Sequence, residues 1–358
     1  AMAPGEGVTD DRAAAVQSLM EEGKLTVRMV TEEDLDAIRK ISEGVYCFGD
    51  TSADYVPHYI QRWCGSTNHW LYGLELEGEL VGFQGRTVID QGRTELQEGV
   101  RLDSSVRGRR FLPAFIDEVD SRRSQREWRA LERVRVARGH SCGDTDFIDN
   151  FLHKERENGT VFLQLRYTLL YKWSDAFMAS VTAATSGHID RLSVRKISPE
   201  AAADIVLAHP ELFEGGIVTT DWTPFDASVE NFRILSVGGL ATWEHEFWAV
   251  VGGPGAGSET LCLTCSMPRG AGVFKFVQVY TRHMEELLAI MQHAMGSAAA
   301  RRPPAPNMAE VDYPWLWVGG EIWAHEDAQE LFECLRPHAV HEMACACFEV
   351  PLDLPQEE

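Results

Sequence analysis

Strand-like runs of apolar and polar residues at 69–76, 80–89 and 94–102, the last alternating with a period of two, predict three strands. The short turns between them, Glu77-Gly78 and Asp90-Gln91-Gly92, make the three a meander. Ahead of them a helical period covers roughly 32–44 and 53–64. Behind them the pattern predicts a helix over about 109–126, a strand at 133–137, a helix over about 144–157 and an apolar strand at 161–171. A second series follows in the same order. Its strands read at 242–251, 260–265 and 273–280, then a helix over 283–297, a strand at 314–318, a helix over 325–336 and a strand at 342–350. The run AARRPPAP at 299–306 is a proline-rich loop inside that series.

The repetition extends to residue identity. Segment 25–38 (LTVRMVTEEDLDAI) aligns without gaps to 192–205 (LSVRKISPEAAADI), with five identities and three close substitutions. Each copy reads as a strand, a Thr31 or Ser198 helix cap, and a helix opening on acids or proline. An internal duplication accounts for both observations. The expected fold is therefore α/β (α+β), with two tandem domains, each a mixed, mostly antiparallel sheet flanked by helices. The expected division is a disordered tail at 1–22, a first domain at 23–172, a linker helix at 173–190 and a second domain at 191–353.

Composition narrows the partners. A net charge of −22, from 33 basic and 55 acidic residues, argues against nucleic acid or an anionic membrane as partner. No apolar run approaches membrane-span length, so a cytoplasmic protein is expected. The eight cysteines form no disulfide framework, and Cys262 and Cys265 fall in a strand-like run that points them to opposite faces. No metal site is expected. Against the acidic background, residues 101–138 hold eleven arginines and six acids. Such an island suits a small polyanion; a solvated arginine-rich helix face is the alternative.

The chemistry concentrates at 94–111, where TELQEGVRLDSS leads into VRGRRF. A strand carrying Glu98 relaxes through Asp103, Ser104 and Ser105, then enters a helix through Arg107, Gly108, Arg109 and Arg110. A helix start offers free N–H groups and a positive dipole end, so this turn can seat a phosphate. Strict alternation puts Leu96, Glu98, Val100 and Leu102 on one face, and a carboxylate among apolar neighbours suits a base. An ion pair with a neighbouring arginine such as Arg101 is the structural alternative. An anion seat and a carboxylate on one strand are what an acyl-CoA-dependent N-acyltransferase needs.

At this point the sequence resembles the GNAT acyltransferases, and within them the double-GNAT histidine N-acetyltransferases of animals. The resemblance rests on Asp54-Tyr55-Val56-Pro57 with Trp63, Val88-Ile89-Asp90 with Gly92, and Glu98-Gly99-Val100-Arg101. It continues through Arg107-Gly108, Val136-Ala137-Arg138, Gly215-Gly216-Ile217 and Asp221-Trp222 with Pro224. It implies acetyl-CoA as co-substrate and the primary amine of a small molecule, an amino acid such as histidine, as acceptor. Glu98 would be the general base. Val100, Arg101, Leu102, Arg107, Gly108, Arg109, Arg110 and Phe111 would bind the cofactor, with Val100 and Leu102 pairing to pantetheine through their backbones. Tyr55 and Tyr59 would line the acceptor pocket. A monomer or weak homodimer is expected.

Two departures bear on mechanism. The family's phosphate loop reads Arg-x-x-Gly-x-Gly/Ala, whereas Arg110 and Leu112 stand at the glycine positions here and Pro113 follows. The guanidinium groups of Arg109 and Arg110 are then expected to replace backbone contacts. The helix after the fifth strand lacks the family's tyrosine acid, and His153, or a tyrosine from Tyr46, Tyr55 and Tyr59, is the candidate in its place. An inactive GNAT-like binding or regulatory protein, or a GNAT scaffold put to other chemistry, are the rival readings.

Overall fold

The computed structural model describes residues 6–43, 54–122, 134, 136–143, 161–171, 174–186, 192–220, 223–239, 243–252, 260–269, 272–296, 312–319 and 326–351. Contacts divide the chain between Ala137 and Arg138.

The first unit is built on an antiparallel meander. Strand β1 (Leu25–Met29) pairs with β2 (His69–Leu76), β2 with β3 (Glu79–Ile89), and β3 with β4 (Thr94–Leu102). The meander lies where the strand-like runs placed it, and its strands bury side chains on both faces beneath helices. One face, through Val27, Tyr72, Leu74 and Val88, packs against α4 (Phe111–Arg122) at Phe111, Phe115 and Val119. Full burial of side chains of this size stabilises by about 1.5–3 kcal/mol each. The other face carries α2 (Leu35–Glu43) and α3 (Val56–Cys64), which bury Ile38, Ile41, Tyr59, Ile60 and Trp63.

The N-terminal segment corrects the expectation of a disordered tail over 1–22. Residues Glu6–Glu21 form a helix, α1, whose Val16 is buried in the α4-facing core with Leu19 and Met20 packed beside it. The apolar stripe sits in the last two turns, behind a small, acidic opening that reads as solvent-seeking by itself.

The second unit repeats the plan. Its sheet runs in the order β5 (Val136–Gly143), β14 (Ala339–Pro351), β6 (Val161–Tyr171), β13 (Asp312–Gly319), β12 (Gly272–Tyr280), β11 (Leu261–Arg269), β10 (His245–Val251) and β7 (Ser193–Ile197). A separate hairpin, β8 (Ile217–Thr220) and β9 (Thr223–Asp226), is an addition to the expected plan. Helix α5 (Asp175–Thr185), expected as the linker, buries Phe177 and Val181 against α8 (Met284–Gly296) and α9 (Glu326–Leu335). Ser174 caps it by accepting from the Phe177 N–H, as Ser198 caps α6 (Pro199–Ala208) and Ser228 caps α7 (Val229–Ser236). The division at 172 and 191 drawn from the repeat concerns which segments correspond, and contact density does not test it. β6, inside the first repeat by sequence, pairs with β13 and β14.

Candidate active site

The carboxylate singled out in the sequence lies where β4 breaks its register. Gly85 pairs with Glu98 and Phe83 with Arg101, so Gly99 and Val100 together face the single residue Gln84. This is a β-bulge, and Gly99 takes it up with φ of 65°. A side chain would be strained there, and a Cβ would come within 3.2 Å of the Trp63 ring. The bulge corrects the shared face expected for Leu96, Glu98, Val100 and Leu102. Leu96 and Glu98 remain together, but the extra residue turns Arg101 to Glu98's side, while Leu102 joins the α4-facing core.

Around Glu98 the three strands bring together groups far apart in sequence. Thr87 on β3 donates its hydroxyl proton to Glu98 Oε1 and also contacts His69 Nδ1. His69 Nδ1 stands 3.7 Å from Glu98 Oε1. The two do not form an ion pair, because burial pushes the imidazole down to about 3 and leaves it neutral. The ring stacks on Trp63, with centroids 4.5 Å apart and planes 13° from parallel. The Glu98 side chain is 15% exposed while that of His69 is sealed, so only the carboxylate can meet a solute.

The entrance to α3 is fixed by charge. Buried Asp54 accepts from the Val56 N–H at 3.2 Å and from Arg101 Nη2 at 3.0 Å. The Arg101 guanidinium lies 5.6 Å from the Tyr55 ring centroid. Tyr55, Tyr59 and Trp63 form one aromatic cluster with centroid separations of 5.5–6.2 Å. Tyr59 is buried and Tyr55 half-buried. Arg101, expected on the cofactor, is thus held at Asp54 and Tyr55.

Beyond β4 the chain turns through Asp103, whose carboxyl is held below its usual range by the Ser105 hydroxyl and N–H. Arg107 Nε donates to the Leu102 carbonyl at 2.9 Å. Gly108 has φ of 70° and Arg110 has φ of 68°. Arginine at the family's first glycine position therefore keeps the left-handed backbone that glycine adopts easily. Phe111 then opens α4 and anchors the turn in the core. The first-turn residue Pro113 has no N–H, which leaves fewer free donors than an ordinary helix start. Arg12 of α1 donates to the Gly108 carbonyl at 3.0 Å. Two cavities, about 780 and 390 Å³, share Arg12, Arg107, Gly108 and Phe111 in their walls. The side chains of Arg109 and Arg110 are exposed, one lining each cavity.

The second unit carries different residues at the matching strand positions. His245 opens β10 as His69 opens β2, and it pairs with Cys265 as His69 pairs with Thr87. Counting the same two steps along the strands, the position of Glu98 is held by Gln278, opposite Leu263. Pairing of β11 with β12 runs without a bulge. Gln278 is buried and donates to the Tyr280 hydroxyl. His245 bonds Thr220 and the Trp243 carbonyl instead.

Sequence reading missed His69, Thr87, Gly85 and Gln278 because each acquires meaning only through register. His153 lies outside the described residues, as does Tyr46. Among the described residues, no cluster of His, Cys, Asp and Glu is arranged to hold a metal ion.

This architecture is the GNAT fold. The chain superposes on a GCN5-related N-acetyltransferase from Sphaerobacter thermophilus with a TM-score of 0.52, at 10% identity, covering 93% of this chain and 99% of that one. It superposes equally, with a TM-score of 0.52 at 9% identity, on a tandem GNAT protein from the clavulanic acid biosynthesis pathway, covering 93% and 100%. In sequence it is homologous to human probable N-acetyltransferase 16, 25% identical over 221 residues, 59% of this chain and 56% of the relative. It is also homologous to the histidine N-acetyltransferase of Scomber australasicus, 30% identical over 223 residues, 59% of this chain and 62% of the relative. The matched part is thus less than two thirds of either relative's length. No family model matches the sequence.

Proposed function

We propose that this chain transfers the acetyl group of acetyl-CoA to the primary amine of a small molecule, with free histidine the first acceptor to test. The observation that carries this reading is Glu98 at the bulge of β4, partly exposed and hydrogen-bonded, a short strand upstream of the Arg107–Arg110 turn. The names of the two relatives point the same way.

Acetyl-CoA supplies an activated acetyl group. Paired left-handed residues at 108 and 110, exposed arginines and adjoining cavities fit a chain of phosphates. Arg107, Gly108, Arg109 and Arg110 would hold the diphosphate together with the first N–H groups of α4, while Phe111 keeps the turn in place. Val100 and Leu102 would pair through their backbones with the pantetheine. Arg101 acts at one remove, by fixing α3 and hence Tyr55 and Tyr59 against the acceptor. An α-amino group has a pKa near 8 and is mostly protonated at neutral pH, so it must lose a proton before it can attack. Glu98 accepts that proton, directly or through one water, and the neutral amine attacks with no covalent enzyme intermediate. With Gln278 in place of the carboxylate and no bulge, the second unit serves as scaffold.

Arg110, Leu112 and Pro113 in the turn favour one rival, an acyl-CoA-independent GNAT-like binder. Calorimetric titration with acetyl-CoA and CoA separates the two readings. Binding supports transfer, and its absence at millimolar concentration removes it. An amine panel read by thiol release then identifies the acceptor.

A further inference from the structure

Glu98 accepts from a hydrogen-bonded chain that the fold itself does not require. An ionised carboxylate can only accept, and Thr87 has one hydroxyl proton, which it donates to Glu98 Oε1. Thr87 Oγ1 must then accept from His69 Nδ1, which makes His69 the Nδ1–H tautomer. His69 Nε2 is left as a bare acceptor, buried and without a partner among the described residues. The ring keeps this position because it stacks on Trp63 and because Gly85 leaves it room, since a Cβ there would lie 3.0 Å from His69 Cε1. The second unit keeps a buried histidine at the matching position but has Cys265 for Thr87 and Gln278 for Glu98. The chain therefore accompanies the carboxylate, not the scaffold.

We propose that His69 and Thr87 are positioning residues for Glu98: His69 donates to Thr87, which commits its only proton to Oε1 and so holds the carboxylate toward the acceptor amine. This inference rests on the reading of Glu98 as the base. In the step, the ammonium N–H bond breaks and an O–H bond forms on the Glu98 carboxylate. The electron pair stays on the amine nitrogen, ready to attack the thioester carbon. Among the described residues, the titratable and charged groups on this side of the sheet include His69 on β2, the Arg101–Asp54 pair, Tyr55 and Tyr59 of the α3 region, His58, Arg62 and Cys64 on α3, and Asp36, Arg39, Lys40 and Glu43 on α2.

Two readouts test the proposal. In ¹⁵N imidazole spectra of the full chain, with the His69 signals assigned by loss in His69→Phe, His69 is expected as the Nδ1–H tautomer with no titration between pH 8 and 5. In kcat/KM for the amine turned over, at saturating acetyl-CoA, Thr87→Val is expected to move the acidic limb up by about one pH unit. Acetyl-CoA binding should be unchanged in that variant, and Thr87→Ser should restore the wild-type limb. An Nε2–H tautomer, or an unmoved limb in Thr87→Val, overturns the proposal. No turnover with any amine, or full turnover by Glu98→Gln, overturns the base reading instead, and the imidazole spectrum then decides the chain alone.

Discussion

Single residues at this site hold backbone shapes that their neighbours impose. Gly99 carries the bulge at φ of 65° beneath the Trp63 ring. Gly99→Ala is expected to destabilise by about 1–2 kcal/mol from the left-handed backbone alone, more if Trp63 is displaced, read as a lowered urea midpoint. Activity should fall with it, because Glu98 adjoins the bulge. Arg110 presents the opposite case, a bulky residue in a glycine conformation. Arg110→Gly relieves about 1–2 kcal/mol of left-handed strain and restores about 0.5–1 kcal/mol of unfolded-chain entropy. A small net rise in stability should result. If Arg110 also contacts phosphate, acetyl-CoA affinity falls while stability rises, and calorimetry beside thermal melting separates the two effects.

At the level of elements, the comparison of β4 with β12 isolates what makes one strand chemical and the other structural. Gln278→Glu would place a carboxylate in a buried, unbulged position, and leaving it uncompensated is costly. Its loss of stability relative to the wild-type chain should be larger at neutral pH than at pH 5, where protonation relieves the charge, and it should gain no activity. The strands were largely legible in the sequence. β2, β4 and β6 have the bounds that their strand-like runs predict. The bulge was not legible, since glycine in a strand does not reveal whether register shifts there. Helix α1 was missed because its apolar residues crowd into its second half. Glu98 and the arginine turn were visible as local motifs. His69 and Thr87 were not, being 18 residues apart and joined only by pairing across β2 and β3.

Across the whole molecule, buried imidazoles set an acid limit on stability. Burial pushes His69 down to about 3 and His245 to about 4. In the unfolded chain both take a proton below about pH 6.5. The unfolded state therefore binds more protons as pH falls, and stability declines from about 6.5 until the folded values are reached. Each histidine should remove about 2 kcal/mol between pH 7 and 5. Urea unfolding at those two values checks this, and His69→Phe should show the shallower decline. The duplicated scaffold thus places buried histidines in both units, while the carboxylate, the bulge and the arginine turn occur together in the first.

The most direct test of the account compares the wild-type chain and Glu98→Gln with acetyl-CoA and L-histidine. Calorimetry measures cofactor binding, and thiol release measures transfer. Equal acetyl-CoA affinity is expected, with amine-dependent thiol release reduced by about 10²–10⁴-fold in the variant. Undiminished release by Glu98→Gln, or failure of the wild-type chain to bind acetyl-CoA, would contradict it.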